Sequence, residues 1–223
     1  MRNRQSGFTL VEIAIVLVII GLLLGGVLKG QELINSAKVK NIISDIRNVS
    51  VFIYGYQDKY KALPGDDPQA NAHHGGTTAT CAGCLGNGII NGGYNSTTNT
   101  DESYLFWQHV RLANLAAGPT NVADANYIPK NADGGLIGVQ SAANPVIAGM
   151  TGTYLVCTDG VLGKFVKQMD TTLDDGETST GSVRAVLTSS VPAPFVPGTS
   201  TAVAVVTSAS INDGLPYTVC QSF

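Results

Sequence analysis

A single acid lies inside an otherwise apolar stretch near the N-terminus. Glu12 is the only charged residue between Phe8 and Leu28. A carboxylate in hydrocarbon costs a few kcal/mol and needs a partner. If the chain is cut after Gly7, the new α-amine on Phe8 lies one helical turn from Glu12, or within reach of Glu12 on a neighbouring copy. The spacing therefore predicts that proteolytic processing creates the cation that this acid lacks.

A second group of acids surrounds Gly176. It comprises Asp170, Asp174, Asp175 and Glu177. Oxygen ligands at this density could hold Ca²⁺, although the stretch does not fit an EF-hand loop. The alternative is a solvated helix end followed by a tight Asp-Asp-Gly turn. No other cofactor is predicted.

Four cysteines offer either disulfides or a reactive site. They are Cys81, Cys84, Cys157 and Cys220. Disulfides are the default in an exported protein, and four cysteines allow three pairings. The Cys-Ala-Gly-Cys segment also allows a zinc site with His73 and His74, or a redox motif that lacks its usual βαβ context.

Signatures of catalysis are missing from the sequence. It contains no GxSxG, no HExxH and no phosphate-binding loop. His109 lies in an apolar segment and stands in no signature. The formal net charge is −3, which leaves no basic surplus to neutralise phosphates. We therefore predict neither an enzyme nor a nucleic-acid-binding protein.

The apolar stretch that carries Glu12 is long enough to cross a membrane. As a helix, residues 8–28 would be about 32 Å long, close to the hydrocarbon thickness of about 30 Å. Arg2 and Arg4 precede the stretch and Lys29 follows it. Because the basic end stays in the cytoplasm, the bulk of the chain is predicted to be exported. A secretory signal would instead have a shorter apolar part followed by a small-residue cleavage site.

These features together carry a resemblance to a known family. The run Gly-Phe-Thr-Leu-Val-Glu from Gly7 to Glu12, with its basic leader and apolar continuation, resembles the prepilin cleavage and N-methylation motif of type IV pilins and type II secretion pseudopilins. The resemblance implies that a prepilin peptidase cuts after Gly7 and methylates Phe8, and that Glu12 pairs with the N-terminal amine of an adjacent subunit. It covers about the first 30 residues, and the alternative is an uncleaved signal anchor.

The resemblance also implies a localisation and a set of partners. The subunit would sit in the bacterial inner membrane with its head in the periplasm, and would then join other copies or related pilins through an inner-membrane assembly platform. The product would be a cell-surface pilus or a periplasmic pseudopilus. Two other classes stay open: a minor or tip subunit that uses the uncharged loop 68–100 as an adhesin, and a membrane-tethered thiol enzyme that uses Cys81 and Cys84.

Our preferred disulfide pairing joins Cys81 to Cys84 and Cys157 to Cys220. The second bridge would clamp the C-terminal end to a strand and close a long loop, which is worth about 3–5 kcal/mol. The resemblance supports a bridge at the C-terminus, since many pilins have one.

Helical periodicity continues beyond the apolar stretch. Apolar residues recur at alternating steps of four and three, which is typical of one face of an amphipathic helix: Ile42, Ile46, Val49, Ile53, Tyr56 and Tyr60. Pro64 and Gly65 end the pattern. The sequence thus predicts one helix over residues 8–63. Glycines four apart in it (Gly21 and Gly25, Gly26 and Gly30) would let neighbouring helices approach.

The remaining chain predicts an α+β head. We expect an irregular loop over 68–100, turns over 118–150, and short helices over 102–117 and 162–173. Strands are expected over 153–157, 182–188, 201–207 and 217–220. The predicted architecture is a long N-terminal α-helix, membrane-spanning in its first half, packed on a small antiparallel sheet. Its parts are a leader (1–7), a transmembrane and filament-core helix (8–28), an amphipathic continuation (29–63) and the head (64–223).

Overall fold

A computed structural model describes residues 9–80 and 83–223 of the chain. Within them lie the helices α1 (Leu10–Tyr60), α2 (Ala70–His74), α3 (Glu102–Leu112) and α4 (Gly163–Leu173). The strands are β1 (Ile137–Ser141), β2 (Tyr154–Leu162), β3 (Val183–Leu187) and β4 (Pro216–Ser222). A long apolar N-terminal helix followed by a small antiparallel sheet confirms the predicted α+β class.

The long helix α1 ends close to the predicted stop. Lys61 takes a left-handed backbone conformation (φ 58°), and its N–H donates to the Gln57 carbonyl. Within α1, burial begins at Val39 and follows the predicted face, with Tyr60 only half-buried. The buried positions are Val39, Ile42, Ile43, Ile46, Val49, Ser50, Ile53 and Tyr56.

The chain divides into two compact units within α1. The boundary falls between Lys38 and Val39. In the first unit, every residue from Leu10 to Lys29 is exposed. The second unit, Val39–Phe223, contains the whole sheet and the hydrophobic core.

The sheet is antiparallel throughout and has the order β1-β2-β4-β3. Alternate residues of its strands face two separate apolar clusters. Val156 and Val219 join the main core, which also contains residues of α1, α3 and α4, whereas Leu155 and Val186 join a smaller cluster. Apolar side chains therefore cover both faces of the sheet.

Several predicted head elements are present with shifted ends. The helix α4 and the strands β3 and β4 lie within two residues of the predicted bounds. The helix α3 stops at Leu112 rather than at 117, because the chain turns at Asn114, whose φ is 61°. The strand β2 extends past 157 to Leu162, through a register shift between Thr158 and Val161.

Two predictions about strands were wrong. Residues 201–207 form no strand, and Val203 makes only an isolated bridge with Ile147. Conversely, β1 lies in the segment that we expected to consist of turns. The loop 68–100 is also less irregular than expected, since it contains the short helix α2.

Candidate functional site

The described N-terminus of α1 forms a reciprocal cap. Both the backbone N–H and the hydroxyl of Thr9 donate to the Glu12 carboxylate, each at 2.8 Å. The Glu12 N–H in turn donates to the Thr9 hydroxyl at 3.3 Å. This is a capping box, in which residues three apart satisfy each other's free donors. The Thr-x-x-Glu spacing was the sequence signal for it, and our sequence analysis overlooked that signal.

The cap supplies hydrogen bonds to the Glu12 carboxylate, but no cation from residues 9–80 or 83–223 pairs with it. Two donors of its own chain bond the Glu12 carboxylate, so the acid is hydrogen-bonded and negative. Gly7 and Phe8 lie outside the described residues. Cleavage after Gly7, and pairing of Glu12 with the resulting amine, therefore remain predictions.

The first half of α1 presents an apolar surface that no residue in 9–80 or 83–223 covers. Of the described helices, α1 has the length and composition to cross a membrane, with a mean hydropathy of 2.8 over its most apolar window. Leu10 is 87% exposed and Leu22 is 74% exposed. A continuous exposed apolar surface of this kind requires lipid or another apolar surface.

Glycines interrupt that apolar surface without interrupting the helix. A Cβ added at Gly21, Gly25, Gly26 or Gly30 would meet no atom within 4 Å. The backbone is therefore bare at these positions, which permits close approach of a second helix. The helix is continuous through all four positions.

Two of the four cysteines form the predicted C-terminal bridge. Cys157 of β2 and Cys220 of β4 are joined by a disulfide, and both are fully buried. They are direct partners in the antiparallel register, so the bridge links neighbouring strands. Cys81 lies outside the described residues, and its pairing with Cys84 stays a prediction.

The structure does not support the alternative of a zinc site. The Tyr56 hydroxyl donates to Asp67 at 2.7 Å, and His73 Nδ1 lies 2.6 Å from the same carboxylate oxygen. His74 Nε2 lies 2.7 Å from the Tyr56 hydroxyl oxygen. Cys84 is disulfide-bonded and offers no thiolate. These groups instead fix the segment after α1 onto the end of that helix.

Three of the four acids proposed as calcium ligands lie together. One carboxylate oxygen from each of Asp170, Asp174 and Asp175 lies within 4.8 Å of the others. Glu177 is outside this group. Its carboxylate accepts hydrogen bonds from the backbone N–H of Ser208 at 2.8 Å and from the Ser179 hydroxyl at 2.9 Å.

A buried carboxyl pair is present that sequence reasoning missed. Asp66 is 2% exposed and Glu102 is fully buried, and their side chains share a hydrogen bond. Asp66 accepts backbone N–H groups from the loop, among them that of Gly88 at 2.7 Å, so it is the ionised partner. Burial, reinforced by the neighbouring Asp66, raises the pKa of Glu102 to about 7.

Comparison with known proteins bears on the N-terminal segment. Residues 2–28 match the family model described as a prokaryotic N-terminal methylation motif. The chain carries a prepilin-type N-terminus. No curated protein and no solved structure matches the chain.

The methylation motif overlaps the exposed part of α1 over residues 10–28. The motif ends at Leu28, whereas exposed apolar residues continue to Ile34 and burial begins at Val39. Its capped start at Thr9 and its apolar continuation fit a membrane-anchored, pilin-like protein. The head beyond Val39 lies outside the matched residues.

The carboxyl pair makes the stability of the head depend on pH. Because the pKa of Glu102 rises from 4.5 to about 7 on folding, the native state binds more protons than the unfolded state between these pH values. The free energy of unfolding therefore falls as pH rises from about 4.5 to about 7, by about 3 kcal/mol from this group. Asp170, whose pKa burial raises to about 6, acts in the same direction, whereas His109, whose pKa burial lowers to about 4, acts in the opposite direction.

We expect Glu102→Gln to remove the contribution of Glu102 to this pH dependence. The amide can accept from Asn91, as the Glu102 carboxyl does, and donate to Asp66, as a protonated acid does. The variant should therefore exceed the natural chain in stability above pH 7, as measured by chemical unfolding of the full chain in detergent from pH 4.5 to 8. The exposed Glu32→Gln is the matched control. Identical pH profiles for Glu102→Gln and the natural chain would contradict the assignment.

Proposed function

We propose that this chain is a pilin-like structural subunit. A prepilin peptidase removes the leader after Gly7, and the first half of α1 then packs with other subunits in a type IV pilus or a pseudopilus. The observation that carries the proposal is the overlap of the methylation motif, residues 2–28, with the exposed apolar residues 10–28 of α1. An uncleaved anchor would also expose an apolar helix, whereas the two features together match a subunit that is stored in lipid and used in a filament.

The physical basis is a transfer between two apolar environments. Before assembly, residues 10–28 would lie in the inner membrane, with the basic leader on the cytoplasmic side and the head in the periplasm. Moving an apolar helix from lipid into a bundle of like helices costs little, because its side chains remain out of water. The bare glycine positions allow the close packing that such a bundle needs.

Glu12 would give the apolar helix a defined axial position relative to its neighbours. A uniformly apolar helix could slide along its neighbours at small cost. Glu12, paired with the Phe8 amine of an adjacent subunit, would penalise every offset that leaves the two charges apart. The capping box supports this role, since it fixes the carboxylate at the start of the helix.

The uncharged segment 68–100, which the adhesin alternative would use, is only partly exposed. An adhesive loop would present its side chains to solvent. Instead, Ala70, Ala79, Ile90 and Tyr94 are buried, and the backbone N–H of Tyr94 donates to the Gln140 side chain. These four residues anchor the segment to the head, whereas residues 85–89 and 97–99 are exposed.

Replacing Gly7 with a bulky residue tests the processing step. We expect Gly7→Val to insert into the membrane but to retain the seven-residue leader, since a peptidase that cuts after a small residue cannot accommodate the larger side chain. Mass spectrometry of the N-terminal peptide from cells is the measurement. The natural chain should begin at a methylated Phe8.

A glycine outside the motif provides the control for this test. Gly30→Ala places a methyl group in open space and should be processed normally. Recovery of the natural chain with Met1, Arg2 and Arg4 still attached would overturn the proposal.

A further inference from the structure

A concave pocket lies beside the C-terminal end of α1. Its volume is about 700 Å³, which falls within the range of about 300–1,000 Å³ for small-molecule sites. The pocket is lined by the last two turns of α1, by the segment 61–69 with His73 of α2, and by residues that include Tyr154 and Phe223. It therefore belongs to the unit Val39–Phe223 and is separate from the N-terminal motif.

Aromatic rings supply flat apolar surface to this pocket. Tyr60 of α1 stacks on His73, with ring centroids 4.9 Å apart, and Tyr154 of β2 stacks on Phe223, with centroids 5.3 Å apart. The ring of Tyr54 also lines the pocket and is 61% exposed. Because the stacked rings already hold one another in place, they lose little side-chain freedom when a ligand binds.

Polar groups with free hydrogen-bonding capacity lie among these rings. In the part of the chain that the structure describes, no hydrogen bond engages the side-chain amides of Gln57 and Gln69 or the Tyr60 hydroxyl. His73 Nδ1 lies 2.6 Å from the Asp67 carboxylate. Since a carboxylate only accepts, Nδ1 carries the proton and Nε2 remains free to accept. The pocket can therefore both donate hydrogen bonds to a ligand and accept them from it.

The pocket carries no surplus of positive charge. Asp66 and Asp67 line it, and both already accept hydrogen bonds within the chain. The lining lysine, Lys61, forms an ion pair with Asp58 at 3.3 Å. A phosphate or a carboxylate would therefore meet negative charge, with no unpaired lysine or arginine among the described lining residues to bind it.

We propose that this pocket binds a neutral saccharide. A pyranose ring has apolar C–H faces and a rim of hydroxyl groups, each of which can both donate and accept a hydrogen bond. The rings of Tyr54 and Tyr60 would contact such a face. The amides of Gln57 and Gln69 and Nε2 of His73 would bond the hydroxyl groups. The lining thus combines the two chemistries that one sugar ring presents.

Two other classes of uncharged ligand match the pocket less well. An acyl chain would cover the amides and the imidazole without bonding them, so these groups would lose the hydrogen bonds that they make with water. An extended peptide would be expected at a free sheet edge, and neither edge strand, β1 or β3, lines the pocket. A saccharide is therefore the ligand class that the lining favours.

Binding of oligosaccharides to the full-length chain tests the proposal. The chain is kept in a zwitterionic detergent without a sugar headgroup, and saturation-transfer NMR is recorded with neutral trimers of glucose, galactose, mannose and N-acetylglucosamine. At least one of these should bind, and the anionic trimer of galacturonic acid should bind about tenfold more weakly than the best of them. The absence of transfer to every neutral trimer, or a preference for the anionic one, would overturn the proposal. Filament assembly plays no part in this test, so its failure would leave the proposed function untouched.

Two variants at exposed positions connect the binding to the pocket. Gln69→Ala removes one hydrogen-bonding amide and should weaken binding of the best trimer about fivefold. Tyr54→Ala removes an aromatic contact and should weaken it about tenfold. The matched controls are Gln168→Ala, an exposed glutamine of α4, and Val51→Ala, an exposed residue of α1, and neither lines the pocket. Both controls should keep full affinity, and full affinity in both pocket variants would contradict the assignment.

Discussion

Cells that produce Glu12→Gln are expected to insert the subunit into the membrane and to assemble almost no filaments. Glutamine can replace glutamate in a capping box, so Thr9 keeps its partner and α1 keeps its start. Only the negative charge is lost. Each incorporated subunit would then leave a Phe8 amine without its counter-ion in an apolar bundle, at a cost of a few kcal/mol. Because the cost recurs with every subunit, growth should stop.

This variant distinguishes the two roles of the acid. If Glu12 acts only as a helix cap, Glu12→Gln should assemble normally and Glu12→Val should not. If the charge sets the axial position, both variants should fail. The comparison needs the yield of sheared filaments together with the amount of subunit in the membrane fraction. Glu32→Gln, which removes an exposed acid of the same helix, should leave the filament yield unchanged.

The sequence predicted features that depend on residues close together along the chain. The helix α1 follows from periodicity and from the stop at Pro64, and the N-terminal motif is contiguous. The strands β3 and β4 follow from short β-branched runs. In each case the residues that decide the structure lie within a few positions of one another.

The strand β1 could not be predicted because its burial depends on distant partners. Gly138 lies where a Cβ would be 1.9 Å from the Tyr94 carbonyl oxygen. The amide of Gln140 accepts from Tyr94 and donates to Asn144. A glycine and a glutamine therefore occupy interior positions of a buried strand, and neither residue type signals one.

The strand prediction for residues 201–207 was wrong because the local pattern is present but a partner strand is not. That segment alternates in a manner typical of strands, yet no continuous partner strand lies beside it. The edge strand β3 pairs with β4 on one side, and Val206 contributes only a single backbone hydrogen bond, to Ala185. An alternating pattern shows which residues can lie in a sheet, but a strand also requires a neighbour.

The candidate sites also differ in whether their residues lie close together in the sequence. Asp174 and Asp175 are adjacent in sequence and were recognised together with Asp170. The pairing of Asp66 with Glu102 joins a turn to a separate helix, and only the folded chain brings them together.

Loss of the Cys157–Cys220 bridge should destabilise the head by about 4 kcal/mol. The bridge closes a loop with a sequence separation of 63 residues, and the entropy that closing a loop of this size removes from the unfolded chain is worth about 4 kcal/mol. The double variant with alanine at both positions should therefore unfold at a Tm about 8–16 °C lower. The sheet should survive, because β2 and β4 also pair through their backbones and pack on both faces.

A comparison with Cys81 and Cys84 tests whether loop closure explains the stabilising effect of the Cys157–Cys220 bridge. If Cys81 and Cys84 are joined as predicted, their bridge closes a loop of only a few residues, and serine at both positions should cost about 2 kcal/mol by the same relation. The measurement is chemical unfolding of the full chain in detergent, without reductant. Equal losses for the two pairs would show that local packing, rather than closure of the long loop, gives the bridge between β2 and β4 its stabilising effect.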